Sequence, residues 1–387
     1  MKKLYILIAA TLLLVIAVTA TVLIVDQKNY EELSGWQRWL YMSINRTEIQ
    51  STKYVGLVSD ETWSAADEYR LDDHALLMKA PDKDFVVMNV ADLHMSEYSY
   101  TYLNSVHANR SLYYIKMMAE ELQPDLITFS GDNFCEDGES NIYAVHRLTD
   151  FMDSLGIPWA PVFDYHDEMG NCDLNYICDI MMHSEYCLLR KGDPALGVGN
   201  YIINIGQEEN GNTNIIHSIF MMHSDHGNLR QNNIDWYKWA AEGVNAVNGS
   251  PVTSSVILHV PFAQYAYALE AAWDDENKCW RAGFDAFGVS GEGFDGELDE
   301  NGEPLDNGFF AVIKEVGTTT NTICGHCHTN SNSIVYDGVR LTYSLRLGRN
   351  GYWDDTYETD TFGVTTLTID SDGGGTIEHH YIHPNEE

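Results

Sequence analysis

The sequence predicts an α/β protein of four layers (α/β/β/α), with two mixed sheets face to face and helices outside each. Three observations predict it. Between Asp84 and Phe163, short apolar runs alternate with helix-length amphipathic stretches, the pattern of parallel strands joined by helices. From Ile334 to Ile382 the chain turns strand-rich, with turn signals at Asp337-Gly338 and Asp372-Gly373. And 44% of the 387 residues are hydrophobic, enough to bury a large core.

Taken in order, the chain opens with Met1-Lys2-Lys3 and an uncharged apolar run from Leu4 to Val25, closed by Asp26. That run suits a membrane-spanning helix of about 20 residues better than a signal-peptide core of ~7–15. Lys2 and Lys3 then place the first residues in the cytoplasm and the rest outside it. Val18-Thr19-Ala20 offers a cleavage site, so a secreted form is the alternative. Residues 1–27 are therefore read as an anchor or uncleaved signal. Residues 28–83 are read as a juxtamembrane segment and lead-in, with short strands at Tyr54–Val58 and Ala75–Met78. Residues 84–387 form the main domain.

In that domain, Phe85–Val90 reads as a buried strand and Asn104–Leu122 as a helix stopped by Pro124. Leu126–Phe129 is the next strand, Ile142–Leu155 a helix ending at Gly156, and Trp159–Phe163 a third strand. Asn171–Gly211 reads as loop-rich. Strands at Asn214–Met222 and Ser254–Val260 flank an aromatic helix, Ile234–Val247. Phe294–Asn307 is an acidic, Gly-rich insertion. Its Glu297–Gly302 stretch begins like a calcium loop, but Gly308 stands where the twelfth position needs Glu, so a solvated loop is the better reading.

The formal net charge of −36 argues against nucleic-acid or anionic-membrane binding and favours cations. Seven cysteines leave at least one unpaired; Cys172 with Cys178 or Cys187 is one pairing open outside the cytoplasm. Cys324 and Cys327 have redox-motif spacing but interleave with histidines and read as packing residues.

Each predicted strand of the main domain that leads into a loop ends in a polar cluster: Asp92-Leu93-His94, Ser130-Gly131-Asp132-Asn133, Asp164-Tyr165-His166-Asp167, His259-Val260-Pro261 and Gly325-His326-Cys327-His328. Alone, each is weak. Together they supply the carboxylates, imidazoles and neutral oxygens that one or two divalent ions need, and strand ends are where α/β folds gather ligand-binding loops. The ordered set resembles the calcineurin-like metallophosphoesterase family. Segments such as Trp159–Phe163, Ile257–Phe262 and Gly348–Tyr352 look closer to the branch related to purple acid phosphatases.

The resemblance, which spans roughly Asp84 onward, implies a metallo-dependent phosphatase-like fold. It also implies hydrolysis of a phosphomonoester or phosphodiester by a hydroxide bridging two metals (Mn, Zn or Fe). By position, Asp92, His94 and His328 would hold the first metal, Asp132 would bridge both, and His259 and His326 would hold the second. His166 would contact phosphate and protonate the leaving oxygen, with Asp167 orienting it. Asn133, Arg346 and Arg349 would contact substrate. His223, Asp225 and His226 read as surface turn or cleft lining, and Phe262, Tyr265 and Tyr267 as core or a stacking surface.

This chain departs from the family at the third motif, where Gly-Asn-His-Asp or Gly-Asn-His-Glu has become Asp164-Tyr165-His166-Asp167. Three readings follow. Tyr165 or Asp164 supplies a replacement oxygen; or the enzyme works with one metal; or the pocket binds a phosphorylated ligand at the cell envelope without hydrolysing it. Cys135 stands where purple acid phosphatases place an iron-binding Tyr, so a colourless site is expected. The expected partners are a phosphorylated small molecule or envelope phosphoester, and the membrane through the N-terminal helix.

Overall fold

The computed structural model describes residues 52–95, 102–134, 141–224, 229–291, 293–348 and 361–383; for 102–109 it describes the backbone alone. The expected anchor, Cys135, Asp225, His226 and Arg349 lie outside these residues. Among the described residues no helix is long and apolar enough to cross a membrane.

In chain order the elements are β1 (Ala75–Met78), β2 (Phe85–Val90), α1 (Tyr102–Leu122), β3 (Leu126–Ser130), α2 (Ile142–Leu155) and β4 (Trp159–Val162). A single helical turn, α3 (Tyr165–Glu168), and α4 (Leu174–Met181) follow, then β5 (Tyr201–Glu209), β6 (Asn212–Met221), α5 (Gln231–Asn248), β7 (Thr253–Ile257) and α6 (Gln264–Ala272). Next come β8 (Trp273–Asp274), β9 (Cys279–Trp280), β10 (Ala286–Phe287), α7 (Phe309–Val316), β11 (Thr319–Cys324), β12 (Ser333–Tyr336), β13 (Val339–Tyr343), β14 (Gly363–Ile369) and β15 (Gly375–Tyr381).

These strands build two large mixed sheets. One has five strands in the order β15-β14-β2-β3-β4, the other eight in the order β1-β5-β6-β7-β11-β13-β12-β10. The centre of each is parallel: β2 with β3 and β4, and β6 with β7, β11 and β13. Helices α1, α2 and α4 cover the first sheet, and α5, α6 and α7 the second. The four layers are therefore those the sequence predicts.

Between the sheets runs a polar seam within the apolar core. Buried Asn89 of β2 donates to Ser344 beyond β13 at 2.9 Å, and the Tyr201 hydroxyl donates to the Pro161 carbonyl at 2.7 Å. His217 of β6 meets the Gly373 carbonyl at 2.9 Å, and His379 meets the Ser331 carbonyl at 2.9 Å. Each satisfies a polar group that burial would otherwise penalise.

Several expectations need correcting. Tyr54–Val58 is not a strand: Tyr54 makes one isolated bridge to Cys172, and Val55, Leu57 and Val58 are exposed. Side chains take its amides instead, Gly56 N–H donating to Asp173 and Leu57 N–H to Asp179. The stretch Asn171–Gly211 is not mainly loop. It contains α4 and β5, and β5 pairs with β6 through the two-residue turn Asn210-Gly211, both at positive φ. Asn-Gly between two apolar runs is a strong hairpin signal. The strand-rich C-terminal part divides between the sheets, β12 and β13 in one, β14 and β15 in the other. Cys178, Cys187, Cys279, Cys324 and Cys327 are free thiols, and Cys324 and Cys327 are core residues.

Candidate metal centre

The parallel strands carry the motifs at their carboxyl ends, and the backbone ties those ends together. His94 N–H donates to the Asp132 carbonyl at 2.9 Å, Gly325 N–H to the His259 carbonyl at 3.1 Å, and Gly348 N–H to the Asp92 carbonyl at 3.0 Å. Asp92, His94, Asp132 and His326 leave their strands in the left-handed region, with φ of 52°, 44°, 50° and 72°. Two glycines allow the close approach. A Cβ on Gly131 would lie 2.6 Å from the His259 ring, and one on Gly348 would lie 2.1 Å from the Asp92 carbonyl oxygen.

Two triads result. Asp92, His94 and His328 form one, and Asp132, His259 and His326 the other; within each, the donor atoms lie within 4.8 Å of one another. The Oδ2 of Asp132 stands between them, 3.1 Å from His259 Nε2 and 3.6 Å from His94 Nε2. In the first triad, His328 Nε2 is 3.0 Å from His94 Nε2 and 3.4 Å from Asp92 Oδ1. Asp92 Oδ1 also accepts the His326 N–H at 3.0 Å. One sheet supplies Asp92, His94 and Asp132, and the other supplies His259, His326 and His328.

The electrostatics suit cation binding. Burial drives His94 down to about 3, so its imidazole is neutral at neutral pH. Burial and the neighbouring His259 likewise lower His326. Burial opposes the charge on Asp92, but His328, hydrogen-bonded to it, outweighs this and holds the carboxyl below the usual range. Asp132 is treated the same way, with His259 the main counterweight. Burial opposes a charge on His259 too, yet Asp132 holds its pKa well above the ordinary value. Its Nδ1 donates to the Ser130 carbonyl at 2.8 Å, which leaves Nε2 to face Asp132. Among the described residues, Oδ1 of Asp132 and Oδ1 of Asn133 are buried without a hydrogen-bond partner. Two buried carboxylates and four imidazoles converge here, and divalent ions fit this donor set.

The third motif lies beside the second triad. Asp164 is fully buried and caps α3: one oxygen accepts the Tyr165 N–H at 2.7 Å, the other the Ser224 hydroxyl at 2.7 Å. It stands outside both triads. Its φ of −144° is extended backbone, so Asp in place of Gly introduces no strain. The Tyr165 ring packs 4.1 Å from that of His166 and lines an open pocket of about 420 Å³ with His326, Val260, Glu297 and Leu298. His166 is partly exposed and points its Nε2 to within 4.0 Å of Asp132 Oδ2.

Asp167 does not orient His166 as expected. Its two oxygens accept the N–H groups of Phe134 and Asp164, each at 2.9 Å, and Nδ1 of His166 has no hydrogen-bond partner among the described residues. Asp167 joins the second motif to the third, and burial followed by Asp132 keeps its pKa well above the carboxylate range. Asn133 donates to the Val162 carbonyl at 2.8 Å. Arg346 bridges Ala91 and Phe362 through its backbone, alongside Asp92. His223 is buried against the Phe163 carbonyl, and Tyr265 is core, hydrogen-bonded to Thr322. The Glu297–Gly302 loop is a turn organised by Asp299, whose Oδ1 accepts the N–H groups of both Asn301 and Glu303. Sequence reasoning placed Ser130 in a motif but gave it no role, though its backbone carbonyl fixes the His259 tautomer, and it missed Ser224. Neither role has a sequence signal, because Ser130 acts through its backbone and the Ser224 hydroxyl meets partners distant in sequence.

No family model and no curated protein matches the chain. Among solved structures it is similar to a dimetal phosphatase from Danio rerio, with 9% identity over 74% of this chain and 93% of that one, at a TM-score of 0.42. It is similar to GAP50, the anchor in the inner membrane complex of Plasmodium, with 11% identity over 78% and 90% of the two chains, TM-score 0.41. It is also similar to purple acid phosphatase PPD1 from yellow lupin (Lupinus luteus) seeds, with 11% identity over 74% of this chain and 49% of that one, TM-score 0.43.

Proposed function

We propose that this chain is a calcineurin-like metallophosphoesterase that hydrolyses a phosphomonoester or phosphodiester outside the cytoplasm. The observation that carries the proposal is Asp132, with one carboxylate oxygen 3.1 Å and 3.6 Å from imidazole nitrogens of two separate triads. Asp92, His94 and His328 would hold one cation, His259 and His326 the other, and Asp132 would be shared. When bound, such ions neutralise charge on a phosphoester and make water nucleophilic at neutral pH.

The chain's own residues do the rest. Fixed by Ser130, His259 presents Nε2 without rearrangement. His166, on the open side of the site, is placed to protonate a leaving oxygen through Nε2. Buried Asn133, held by Val162, offers an oxygen to substrate. The location outside the cytoplasm rests on the apolar run Leu4–Val25 alone.

Asp164 is saturated by its cap and by Ser224, so a replacement for the absent Asn falls to Tyr165, whose ring lines the same pocket as His326. That substitution also favours a second reading, a site that binds a phosphoester without turnover. The test is hydrolysis of aryl phosphate mono- and diesters by the full chain with Mn²⁺ added, beside Asp92→Asn. The expected outcome is turnover that falls at least a hundredfold in the variant. Phosphate-ester binding without turnover in the wild type selects the second reading, and Tyr165→Asn then shows whether that side chain silences the site.

A further inference from the structure

The acidic insertion reaches the second triad. Gly296 is pressed against the end of the His259 strand: a Cβ there would lie 2.6 Å from the Pro261 carbonyl oxygen and 2.3 Å from the Phe294 ring. Within the loop Leu305 N–H donates to the Glu297 carbonyl at 2.8 Å, and Gln264 of α6 ties its far end by donating to Asp306 at 2.9 Å. In this loop Asp295 sets Oδ1 3.8 Å from Nε2 of His326, a carboxylate–imidazole contact. Asp295 is half exposed and lies outside both triads, facing His326.

We propose that Asp295 is a positioning residue of the second metal site, holding the His326 ring by a carboxylate–imidazole contact. A carboxylate facing Nε2 favours the proton there and leaves Nδ1 as the lone-pair donor, while fixing the ring plane and raising the basicity of the imidazole. This chain has particular need of such a device. The third-motif Asn is absent, and His326 leaves its strand at a φ of 72° with its side chain partly exposed. His259, by contrast, is fully buried and locked by a 2.8 Å bond to the Ser130 carbonyl. The second site thus pairs one rigid imidazole with one that needs an outside brace.

The inference rests on the two-metal reading, and titration calorimetry separates the two. The metal-free full chain is titrated with Mn²⁺, alone and as Asp295→Ala and Asp295→Glu. Two equivalents in the wild type uphold the two-metal reading. The brace then requires the second dissociation constant to weaken about 10–100-fold in Asp295→Ala, with the first constant and the metal-free melting temperature unchanged. Asp295→Glu, which restores a carboxylate, should recover at least part of the loss. Two equivalents with an unaltered second constant in Asp295→Ala overturn the brace and leave the two-metal reading standing. So does an equal loss in Asp295→Ala and Asp295→Glu, or a drop in both constants together. Fewer than two equivalents in the wild type overturn both.

Discussion

At the scale of single residues, the third motif has exchanged one kind of chemistry for another. A glycine at position 164 leaves the following turn uncapped. The aspartate there accepts the Tyr165 N–H and the Ser224 hydroxyl, and Ser224 in turn accepts the Val260 N–H at 3.2 Å. The third motif is thereby tied to the strand end that bears His259. Asp164→Gly removes an N-cap and leaves a buried hydroxyl short of its acceptor, so it should cost about 1–2 kcal/mol. The midpoint of urea unfolding measures this. An unchanged midpoint would mean that the tie contributes nothing. The identities of the polar side chains at the site were legible in the sequence because ligand chemistry needs particular residue types. The partners of Asp164 and Asp167 were not, because both bond to backbone or hydroxyl groups that any strand end provides. A Gly-to-Asp change read from sequence suggests altered backbone, whereas the structure shows ordinary extended geometry with a new acceptor.

At the scale of elements, the site depends on how closely two strand ends approach. Gly131, at φ 94°, lets the β3 terminus pass over the His259 ring. Gly131→Ala adds a methyl 2.6 Å from that ring in a backbone region that disfavours side chains. The ring must move, and metal analysis by mass spectrometry should find the second equivalent lost while Asp92, His94 and His328 still hold the first. The βα alternation that predicted β2, β3 and β4 was clear because each strand is buried on both faces and bounded by helices of regular period. The hairpin of β5 and β6 was harder to see. Its apolar run Tyr201–Ile205 is embedded in Gly- and Asn-rich sequence, and β5 alternates poorly because six of its nine residues are buried. For Tyr54–Val58 the error ran the other way. An apolar run suggested a strand, but side-chain carboxylates had already taken its amides.

At the scale of the molecule, the two sheets meet across histidines that must stay neutral. Burial lowers His217 to about 4 and His379 to about 4, from an ordinary value near 6.5. Because the folded pKa is depressed, each contribution is complete above pH 6.5 and is lost as pH falls toward 4. For His217 the shift corresponds to on the order of 3 kcal/mol. Thermal unfolding of the wild type and of His217→Asn should therefore differ clearly at pH 7 and converge by pH 4. Comparing the pair matters, since acid also relieves the self-repulsion of a chain with formal charge −36 and raises the stability of both. A gap that stays constant with pH would remove His217 from the acid response.

Four residues of the two triads, Asp92, His94, Asp132 and His326, hold a left-handed backbone. For an L-residue that conformation costs roughly 1–2 kcal/mol, with aspartate tolerating it better than histidine. Drift that answered to stability alone would settle glycine or asparagine at positions 94 and 326. Histidine at both means the fold carries a standing local penalty in return for where those imidazoles point. Whatever Tyr165 does to turnover, the ligand-type side chains at these strand ends are held at a cost in local stability.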